Sequence, residues 1–230
     1  MKSPLRVTLI GARGRMGQTI VDLARSDPKI DIVARCDLGD AIGPAIKNCN
    51  VAIDFSNSSA IKEICGAALQ HRKALVIGTT GHSAEQRALI EKAAKSLPIV
   101  FASNFSVGVN ALFALTRRAA EIFGSEFAPQ IIETHHKMKK DAPSGTAKTL
   151  GEILKEVLKT EIPIESIREG DVVGEHTVTF AGPSERLELT HRADSREIFA
   201  RGALRAAQWI VGKRAALYSM QDVLGISSTK

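Results

Sequence analysis

The first hundred residues alternate short apolar runs with helical patterns, and this alternation limits the folds that the chain can adopt. The runs are Leu5–Ile10, Ile30–Ala34, Val51–Phe55, Leu75–Ile77 and Ile99–Ala102. Between them, apolar residues recur at the spacing of a helix face, as at Met16, Ile20 and Leu23. Strands that alternate with helices form parallel sheets covered on both faces. We therefore predict an α/β fold with a doubly wound parallel sheet.

The pattern changes after a predicted helix through Leu112–Phe123. Strand patterns at Gln130–Thr134, His176–Phe180 and Arg186–Thr190 are separated by one predicted helix, Gly145–Lys159, and by turn-rich segments. They predict a smaller α+β domain with an open mixed sheet at residues 107–196. A final helix is predicted from the apolar face of Ala203, Ala206, Ala207, Ile210 and Val211. We expect it to pack on the first domain, which we place at residues 1–106 and 197–230.

Composition narrows the possible partners. The 230 residues carry a net charge of +6, but the basic residues are spread along the chain and aromatic residues make up only 4%. This distribution favours anionic small molecules over nucleic acid. No stretch approaches the roughly 20 apolar residues of a membrane span, and the N-terminus lacks a secretory pattern, so we expect no membrane partner and a cytoplasmic protein. Cys36, Cys49 and Cys65 lack disulfide or metal-ligand spacing, so we expect buried, reduced thiols and no metal.

A glycine-rich loop follows the first predicted strand. Gly11-Ala12-Arg13-Gly14-Arg15-Met16-Gly17 runs from that strand into a helix, which is the context of a Rossmann-type dinucleotide site. The pyrophosphate would lie on the helix N-terminus, held by free backbone N–H groups. The spacing is GxxGxxG, with Arg13 at the middle glycine of the commoner motif, and a turn that serves only packing is the alternative interpretation.

Asp37 strengthens the dinucleotide interpretation. It ends the second predicted strand, 26 positions after Gly11, where an acid binds the adenosine ribose. A carboxylate there accepts from the 2′-hydroxyl and repels a 2′-phosphate, so we predict a preference for NADH over NADPH. Arg13, Arg15 and Arg35 would weaken that preference.

Two further loops lie at the carboxyl ends of predicted strands, where ligands of such sheets bind. They are Gly78-Thr79-Thr80-Gly81 and Ala102-Ser103-Asn104-Phe105. Ordinary turn chemistry explains either one alone. Together with the glycine loop, they favour a nicotinamide pocket.

The segment Glu133–Thr146 places two histidines and three lysines close to a helix start. Such crowding of cationic groups requires solvent or a negative partner, and we expect an anionic substrate. Ser144 is a good N-cap, so the N–H groups of Gly145 and Thr146 can bind a carboxylate. His135 and Lys139 can deliver a proton as a hydride arrives elsewhere. Helix capping and a solvated strand end are the alternatives. We expect the other histidines to have no comparable surroundings; they are His71, His82, His176 and His191.

These motifs resemble the dihydrodipicolinate reductase family over nearly the whole chain. The most specific matches are Gly14–Gly17, Asp54-Phe55-Ser56, Gly78–Gly81, Asn104–Asn110 and above all the segment Glu133–Ala147. The resemblance implies NAD(P)H-dependent reduction of a cyclic dicarboxylate, 4-hydroxy-tetrahydrodipicolinate, to tetrahydrodipicolinate in lysine and diaminopimelate biosynthesis. It also implies a homotetramer in which the second domains join their sheets.

The resemblance assigns roles to individual residues. Of the two catalytic residues, His135 would be a proton donor and acceptor and Lys139 the proton donor. The substrate would contact His136, Gly145, Thr146 and Arg196. The cofactor would contact Gly11, Ala12, Arg13, Gly14, Arg15, Met16, Asp37, Gly78, Thr79, Thr80, Ala102, Ser103, Asn104 and Phe105.

Three features depart from the family pattern. Only thirteen residues separate Asp37 from Val51, so we expect one wall of the adenine pocket to be missing or rebuilt. Arg13 replaces a smaller residue, and Leu38 stands where members that accept NADPH can carry a basic residue. Two other functions remain open at this point: an amino-acid dehydrogenase acting on an open-chain amine, and a regulatory module that senses NADH without turnover.

Overall fold

A computed structural model describes residues 3–226, which divide into two compact units: residues 3–106 with 197–226, and Val107–Arg196. The domain ranges predicted from sequence also include residues 1–2 and 227–230, which lie outside the described part. In chain order the strands and α-helices are β1 (Leu5–Ile10), α1 (Arg15–Arg25), β2 (Ile30–Cys36), α2 (Ile42–Lys47), β3 (Val51–Asp54), α3 (Ile61–His71), β4 (Ala74–Ile77), α4 (Ala84–Ala94), β5 (Pro98–Phe101), α5 (Val107–Phe123), β6 (Ala128–His135), α6 (Gly145–Leu158), β7 (Ile164–Arg168), β8 (Gly174–Ala181), β9 (Arg186–Ala193), α7 (Glu197–Ile210), β10 (Ala216–Tyr218) and α8 (Met220–Leu224).

The first unit is built on a six-stranded sheet in the order β10-β5-β4-β3-β1-β2, with every neighbouring pair parallel. Successive side chains of β1 point to opposite faces, so Val7 and Leu9 join one core with helices α1 and α7, whereas Ile10 joins the other. Burial on both faces explains why these strands read as continuous apolar runs. The predicted doubly wound α/β fold is confirmed.

The second unit has a four-stranded mixed sheet in the order β7-β6-β8-β9, in which only β6 and β7 are parallel. Helices α5 and α6 cover one face, where their apolar stripes pack on alternate strand residues such as Ile131 and Val178. The opposite face carries Ile132 and Ile167, of which Ile167 is 36% exposed. This is the predicted open mixed sheet.

The structure adds three elements that the sequence patterns did not predict. Helix α2 has six residues and contains Gly43 and Pro44, which are poor helix signals. Strand β10 has only three residues, and β7 is a short edge strand that depends on pairing with β6. Pairing with neighbouring strands stabilises β7 and β10, whereas α2 is held by Ile42 and Ile46, which are buried in the core.

Two simpler expectations can be checked in the described residues. Cys36, Cys49 and Cys65 are buried free thiols, as predicted. Among residues 3–226, no helix is both long and apolar enough to cross a membrane.

Candidate active site

The glycine loop of the first unit brings the backbone of β1, α1 and the end of β3 very close together. A Cβ at Gly17 would overlap the Gly11 carbonyl oxygen and lie 2.6 Å from Ala12 Cα. Gly11 has a φ of +82°, and a Cβ there would lie 2.9 Å from Ser56 Cα. Helix α1 has no side-chain N-cap and no acidic residue in its first turn. The positive end of the helix is therefore open to an anion.

Asp37 lies beside this loop. Both of its carboxylate oxygens accept from the Arg13 backbone N–H at 3.1 Å, and Arg13 Nε lies 3.7 Å away. The Asp37 N–H donates to Asp40 Oδ2 at 2.8 Å, which closes the turn after β2. The structure thus joins the two parts of the predicted dinucleotide motif, the glycine loop and the acid.

A cavity of about 310 Å³ opens next to this acid. It is lined by the glycine loop through Gly11 and Gly14, by Asp37 and Leu38, and by the segment that follows β3. Ile42, at the start of α2, also lines it, so the short crossover still supplies one wall. A second cavity, of about 500 Å³, has Arg13 and Arg35 in its lining together with Asp37.

The loops after β4 and β5 lie at the same edge of the sheet. A Cβ at Gly78 would overlap the ring of Phe55, and that ring packs against Phe105 with 5.7 Å between centroids. The Thr79 side chain is buried, whereas Thr80 and Ser103 are exposed. The predicted cofactor loops are therefore grouped around Phe55, a residue that the sequence reasoning had not assigned to the site.

Asp54 is a buried carboxyl below this edge. Burial raises its pKa, although hydrogen bonds from Ser56 oppose the effect. Its Oδ1 accepts from the Ser56 N–H at 2.9 Å and from the Ser56 hydroxyl at 2.5 Å. These bonds hold the turn that carries Phe55.

The second unit has a cluster of ionisable groups at the end of β6. Glu133 and His135 are two residues apart, so strand alternation places both on the buried face. Glu133 Oε2 accepts from His135 Nδ1 and from Arg168 Nη1 at 3.1 Å. Its Oε1 accepts from Arg168 Nη2 at 2.9 Å and from the Ser144 N–H at 3.2 Å. This carboxylate is fully buried and saturated with donors.

The pKa values of Glu133 and His135 follow from this arrangement. Burial pushes the pKa of Glu133 upward, but hydrogen bonds led by that from Arg168 outweigh burial and set it at about 2. Burial lowers the pKa of His135 below its ordinary value, and Glu133 partly opposes that shift. Because Glu133 is ionised at neutral pH, it accepts a hydrogen bond from the Nδ1–H of His135. The other nitrogen, Nε2, is then the one that exchanges protons.

His176 belongs to this cluster, so the prediction that it has no comparable surroundings was wrong. Its ring lies edge-on to that of His135, with 5.1 Å between centroids, and its Nε2 lies 3.0 Å from Ser144 Oγ. Burial, reinforced by the charge of His135, lowers its pKa to about 4. Antiparallel pairing of β6 and β8 sets Glu133 opposite His176, a register that sequence spacing alone does not give.

Carboxylates of the chain itself lie against two of the cationic groups in this segment. His135 is only 8% exposed and contacts the carboxylate of Glu133 on its own strand. The ammonium of Lys139 lies 2.7 and 2.9 Å from the two oxygens of Asp141. The chain itself therefore supplies carboxylates to both residues.

The start of α6 lies against the same cluster. Ser144 is the N-cap, and its hydroxyl accepts from the Ala147 N–H at 3.2 Å. Gly145 is exposed at the first position of the helix, and Thr146 is partly exposed. His136 is held through its backbone N–H, which donates to Val172 O at 2.7 Å. Arg196 is exposed after β9 and is not part of the hydrogen-bonded cluster.

Sequence reasoning missed the roles of Glu133, Arg168 and His176. Glu133 could have been found, because a residue two positions before His135 on a strand shares its face. Arg168 could not have been found, because it lies on β7, which was not predicted. The Arg168 guanidinium reaches Glu133 only through the parallel pairing of β6 and β7.

The first unit has a parallel sheet with a glycine loop, and the second has a mixed sheet with a cluster of histidine, carboxylate and arginine. This combination is typical of a two-domain pyridine-nucleotide-dependent oxidoreductase. Two family models match the chain: "Dihydrodipicolinate reductase, N-terminus" at residues 5–105 and "Dihydrodipicolinate reductase, C-terminus" at residues 108–224. The chain belongs to the dihydrodipicolinate reductase family. The predicted family and enzyme class are confirmed.

Individual relatives agree with this result. The chain is 46% identical over 243 residues to 4-hydroxy-tetrahydrodipicolinate reductase of Akkermansia muciniphila, covering 97% of this chain and 99% of the relative. It is 39% identical over 265 residues to the Geobacter metallireducens enzyme of the same name, covering 96% and 99%.

Solved structures share the fold. Dipicolinate-bound dihydrodipicolinate reductase from Paenisporosarcina sp. TG-14 has a TM-score of 0.84 at 23% identity, covering 95% of this chain and 98% of that one. Diaminopimelate (DAP) dehydrogenase of C. glutamicum, in complex with DAP, has a TM-score of 0.62 at 12% identity, covering 100% and 97%. The fold alone is thus common to reductases and amino-acid dehydrogenases, and the family match separates them.

Proposed function

We propose that the protein reduces the cyclic dicarboxylate 4-hydroxy-tetrahydrodipicolinate to tetrahydrodipicolinate with NADH or NADPH and releases water, as a step of lysine and diaminopimelate biosynthesis. The observation that carries the proposal is the cluster of His135, Lys139 and the exposed start of α6 within one short segment. It supplies proton donors and a carboxylate site together. The reductase names of the relatives support the substrate.

In this proposal the two units bind different molecules. Residues 1–106 with 197–230 bind the dinucleotide, and residues 107–196 bind the substrate. The fit of a dinucleotide rests on the uncapped N-terminus of α1 and on Gly11 and Gly17, where a Cβ would collide with backbone. The proposed cofactor contacts are Gly11, Ala12, Arg13, Gly14, Arg15, Met16, Asp37, Gly78, Thr79, Thr80, Ala102, Ser103, Asn104 and Phe105.

A bound nicotinamide supplies the hydride, and the residues of this chain supply the protons. His135 exchanges a proton at Nε2, because its Nδ1 is committed to Glu133. Lys139 is the proton donor, held at one end by the Asp141 carboxylate. Positioned proton transfer of this kind contributes roughly 10²- to 10⁴-fold to the rate.

The substrate carboxylates require fixed donors. We assign them to His136, Gly145, Thr146 and Arg196. Gly145 and Thr146 present the first N–H groups of α6, at the positive end of the helix dipole, and the absence of a side chain at Gly145 permits close approach.

NADH is the proposed preferred cofactor. Asp37 places a carboxylate beside the glycine loop, where it would accept from a ribose hydroxyl and repel a 2′-phosphate. Arg13 is ion-paired with Asp37, which reduces the charge it can offer to a phosphate. Arg35 lines the neighbouring cavity and would moderate the preference.

A cytoplasmic homotetramer completes the proposal. The face of the β6–β9 sheet opposite the helices is open and carries apolar residues, including Ile132 and Ile167. The family resemblance implies a homotetramer in which the second domains join their sheets. Sedimentation of the purified protein should give the molecular mass of four chains if this is correct, and the mass of one chain if it is wrong.

A substrate panel tests the proposed activity. The purified protein is given NADH with freshly generated 4-hydroxy-tetrahydrodipicolinate, and separately NAD⁺ with open-chain amino acids, while absorbance of the reduced cofactor is followed. We expect rapid loss of NADH in the first reaction and no change in the second. Reduction of NAD⁺ by an amino acid would favour a dehydrogenase, and NADH binding without consumption would favour a sensor.

A further inference from the structure

Glu133 lies at the centre of the second unit's polar cluster, and the proposed chemistry uses it only as the partner of His135 Nδ1. Its carboxylate has about four acceptor positions. They are filled by His135 Nδ1, two guanidinium nitrogens of Arg168 and the Ser144 N–H. A fully buried carboxylate with every acceptor position used holds its neighbours in fixed directions.

Arg168 extends this connection to the segment that carries Lys139. Its Nη2 donates to the Asp141 carbonyl oxygen at 2.6 Å in addition to Glu133, and its Nη1 also donates to the Ile167 carbonyl at 2.7 Å. Asp141 in turn holds the Lys139 ammonium. One guanidinium therefore links the carboxylate behind His135 to the residues that position Lys139.

We propose that Glu133 and Arg168 are a positioning pair, which fixes the ring orientation of His135 and holds the Lys139–Asp141 segment beside it. In this proposal the pair contacts neither substrate nor cofactor and acts only through His135 and Lys139. The kinetic part of this inference rests on the proposed function, whereas its structural part does not.

A metal site is the competing explanation for the same residues. Ligand atoms of Glu133, His135 and His176 lie within 4.8 Å of one another, which is compatible with a cation. However, both Glu133 oxygens already accept from the Arg168 guanidinium, whose positive charge would repel a metal ion. The donor set therefore favours an arginine-paired carboxylate.

The positioning pair predicts the direction in which the pKa of His135 changes when either partner loses its charge. The ionisable groups that face His135 are Glu133, Arg168, Lys139 and His176. Burial lowers the pKa of His135, Glu133 raises it, and Arg168 lowers it. Removing the charge of Glu133 must then move the titration of His135 to lower pH, and removing the charge of Arg168 must move it to higher pH.

Ring-proton NMR of the full chain measures these shifts directly. His135 is assigned by the signal that disappears in His135→Gln, and its titration is compared in wild type, Glu133→Gln, Arg168→Met and Arg168→Lys. We expect opposite shifts of roughly half a pH unit or more for the two neutral variants. Arg168→Lys keeps the charge and should titrate near wild type. Glu152→Gln and Arg118→Met, exposed positions on α6 and α5, are the charge controls.

Shifts in the same direction, or none, would overturn the proposal. If Arg168→Met does not fold, Glu133→Gln must still move the titration down and Arg168→Lys must still leave it near wild type. The NMR result is independent of turnover. The His135 titration could shift in opposite directions in Glu133→Gln and Arg168→Met while the wild-type protein does not oxidise NADH. That result would support the positioning pair and refute the proposed function.

The kinetic measurement separates positioning from simple stability. We expect Arg168→Lys to lower kcat by up to roughly 10²-fold with a smaller change in KM, because the planar fork that fixes the segment is lost. In each variant, the limb of the pH profile, which is the pH range over which kcat/KM changes, should shift in the same direction as the His135 titration measured by NMR. A uniform fall in activity that follows the folded fraction, with no movement of the limb, would assign the pair a structural role only.

Discussion

The carboxylate of Glu133 contacts Nδ1 of His135, two residues further along the same face of β6. Strand alternation alone brings the two groups together, and burial makes the contact strong because little water competes for it. It leaves Nε2 of His135 as the exchangeable nitrogen. The residues of a single strand therefore favour the tautomer of His135 that carries its proton on Nδ1.

Lys139→Ala should lower turnover far more than it weakens cofactor binding. We expect kcat to fall roughly 10²- to 10⁴-fold, because a positioned proton donor is lost, while the Kd for NADH stays near wild type. Steady-state kinetics and fluorescence titration of NADH measure the two quantities. Lys140→Ala, an exposed neighbour, is the control. Equal losses in both quantities would refute the assignment of Lys139 as proton donor.

Asp37→Ser should shift the cofactor preference toward NADPH. The variant loses a charged acceptor for the ribose hydroxyl, so the Kd for NADH should rise roughly tenfold, and repulsion of a 2′-phosphate disappears. Asp31→Ser, an exposed change at the other end of β2, controls for net charge. A wild-type protein that binds NADPH more tightly than NADH would show that the predicted preference is wrong.

Gly17→Ala should damage the glycine loop. The new Cβ would overlap the Gly11 carbonyl oxygen, so the loop must shift, at a cost of about 1–3 kcal/mol in unfolding free energy together with weaker NADH binding. Gly43→Ala in α2 is the matched control. A Cβ there meets nothing within 4 Å, and we expect it to be neutral or to stabilise the helix by about 0.5–1 kcal/mol. Equal effects of the two substitutions would contradict the packing role of Gly17.

Glu133 should make stability depend on acid pH. Its pKa is lowered to about 2 in the folded chain from an ordinary value of 4.5, so its contribution is complete above that ordinary value. The contribution is lost as pH falls through the folded pKa, and we expect about 3 kcal/mol in total. Urea unfolding of wild type and Glu133→Gln between about pH 6 and pH 2 measures it. The difference between the two proteins should shrink as the pH falls, and a constant difference would count against the account.

The fold was predictable where local pattern and burial agree. Strands such as Val51–Asp54 and Ala74–Ile77 are buried on both faces, so their apolar runs mark them clearly. Strand β7 was not predicted, because its five residues carry little pattern and its position depends on pairing with β6. Residue type and spacing also predicted the glycine loop and Asp37.

The cluster around His135 was only partly predictable, for a related reason. His135, Lys139 and Ser144 lie in one short segment, so the sequence shows them together. His176 and Arg168 come from other strands, and the register that places them beside Glu133 is set by the whole sheet. Local sequence therefore indicates which chemistry is present, but not which residues orient it.

The most direct test of the central claim is NADH oxidation by wild type and His135→Asn with freshly generated 4-hydroxy-tetrahydrodipicolinate. The account predicts rapid oxidation by wild type and a kcat lower by roughly 10²- to 10⁴-fold in the variant, with NADH binding unchanged. Wild type that binds NADH but does not consume it would contradict the proposed reaction. Equal turnover by the two proteins would contradict the role of His135.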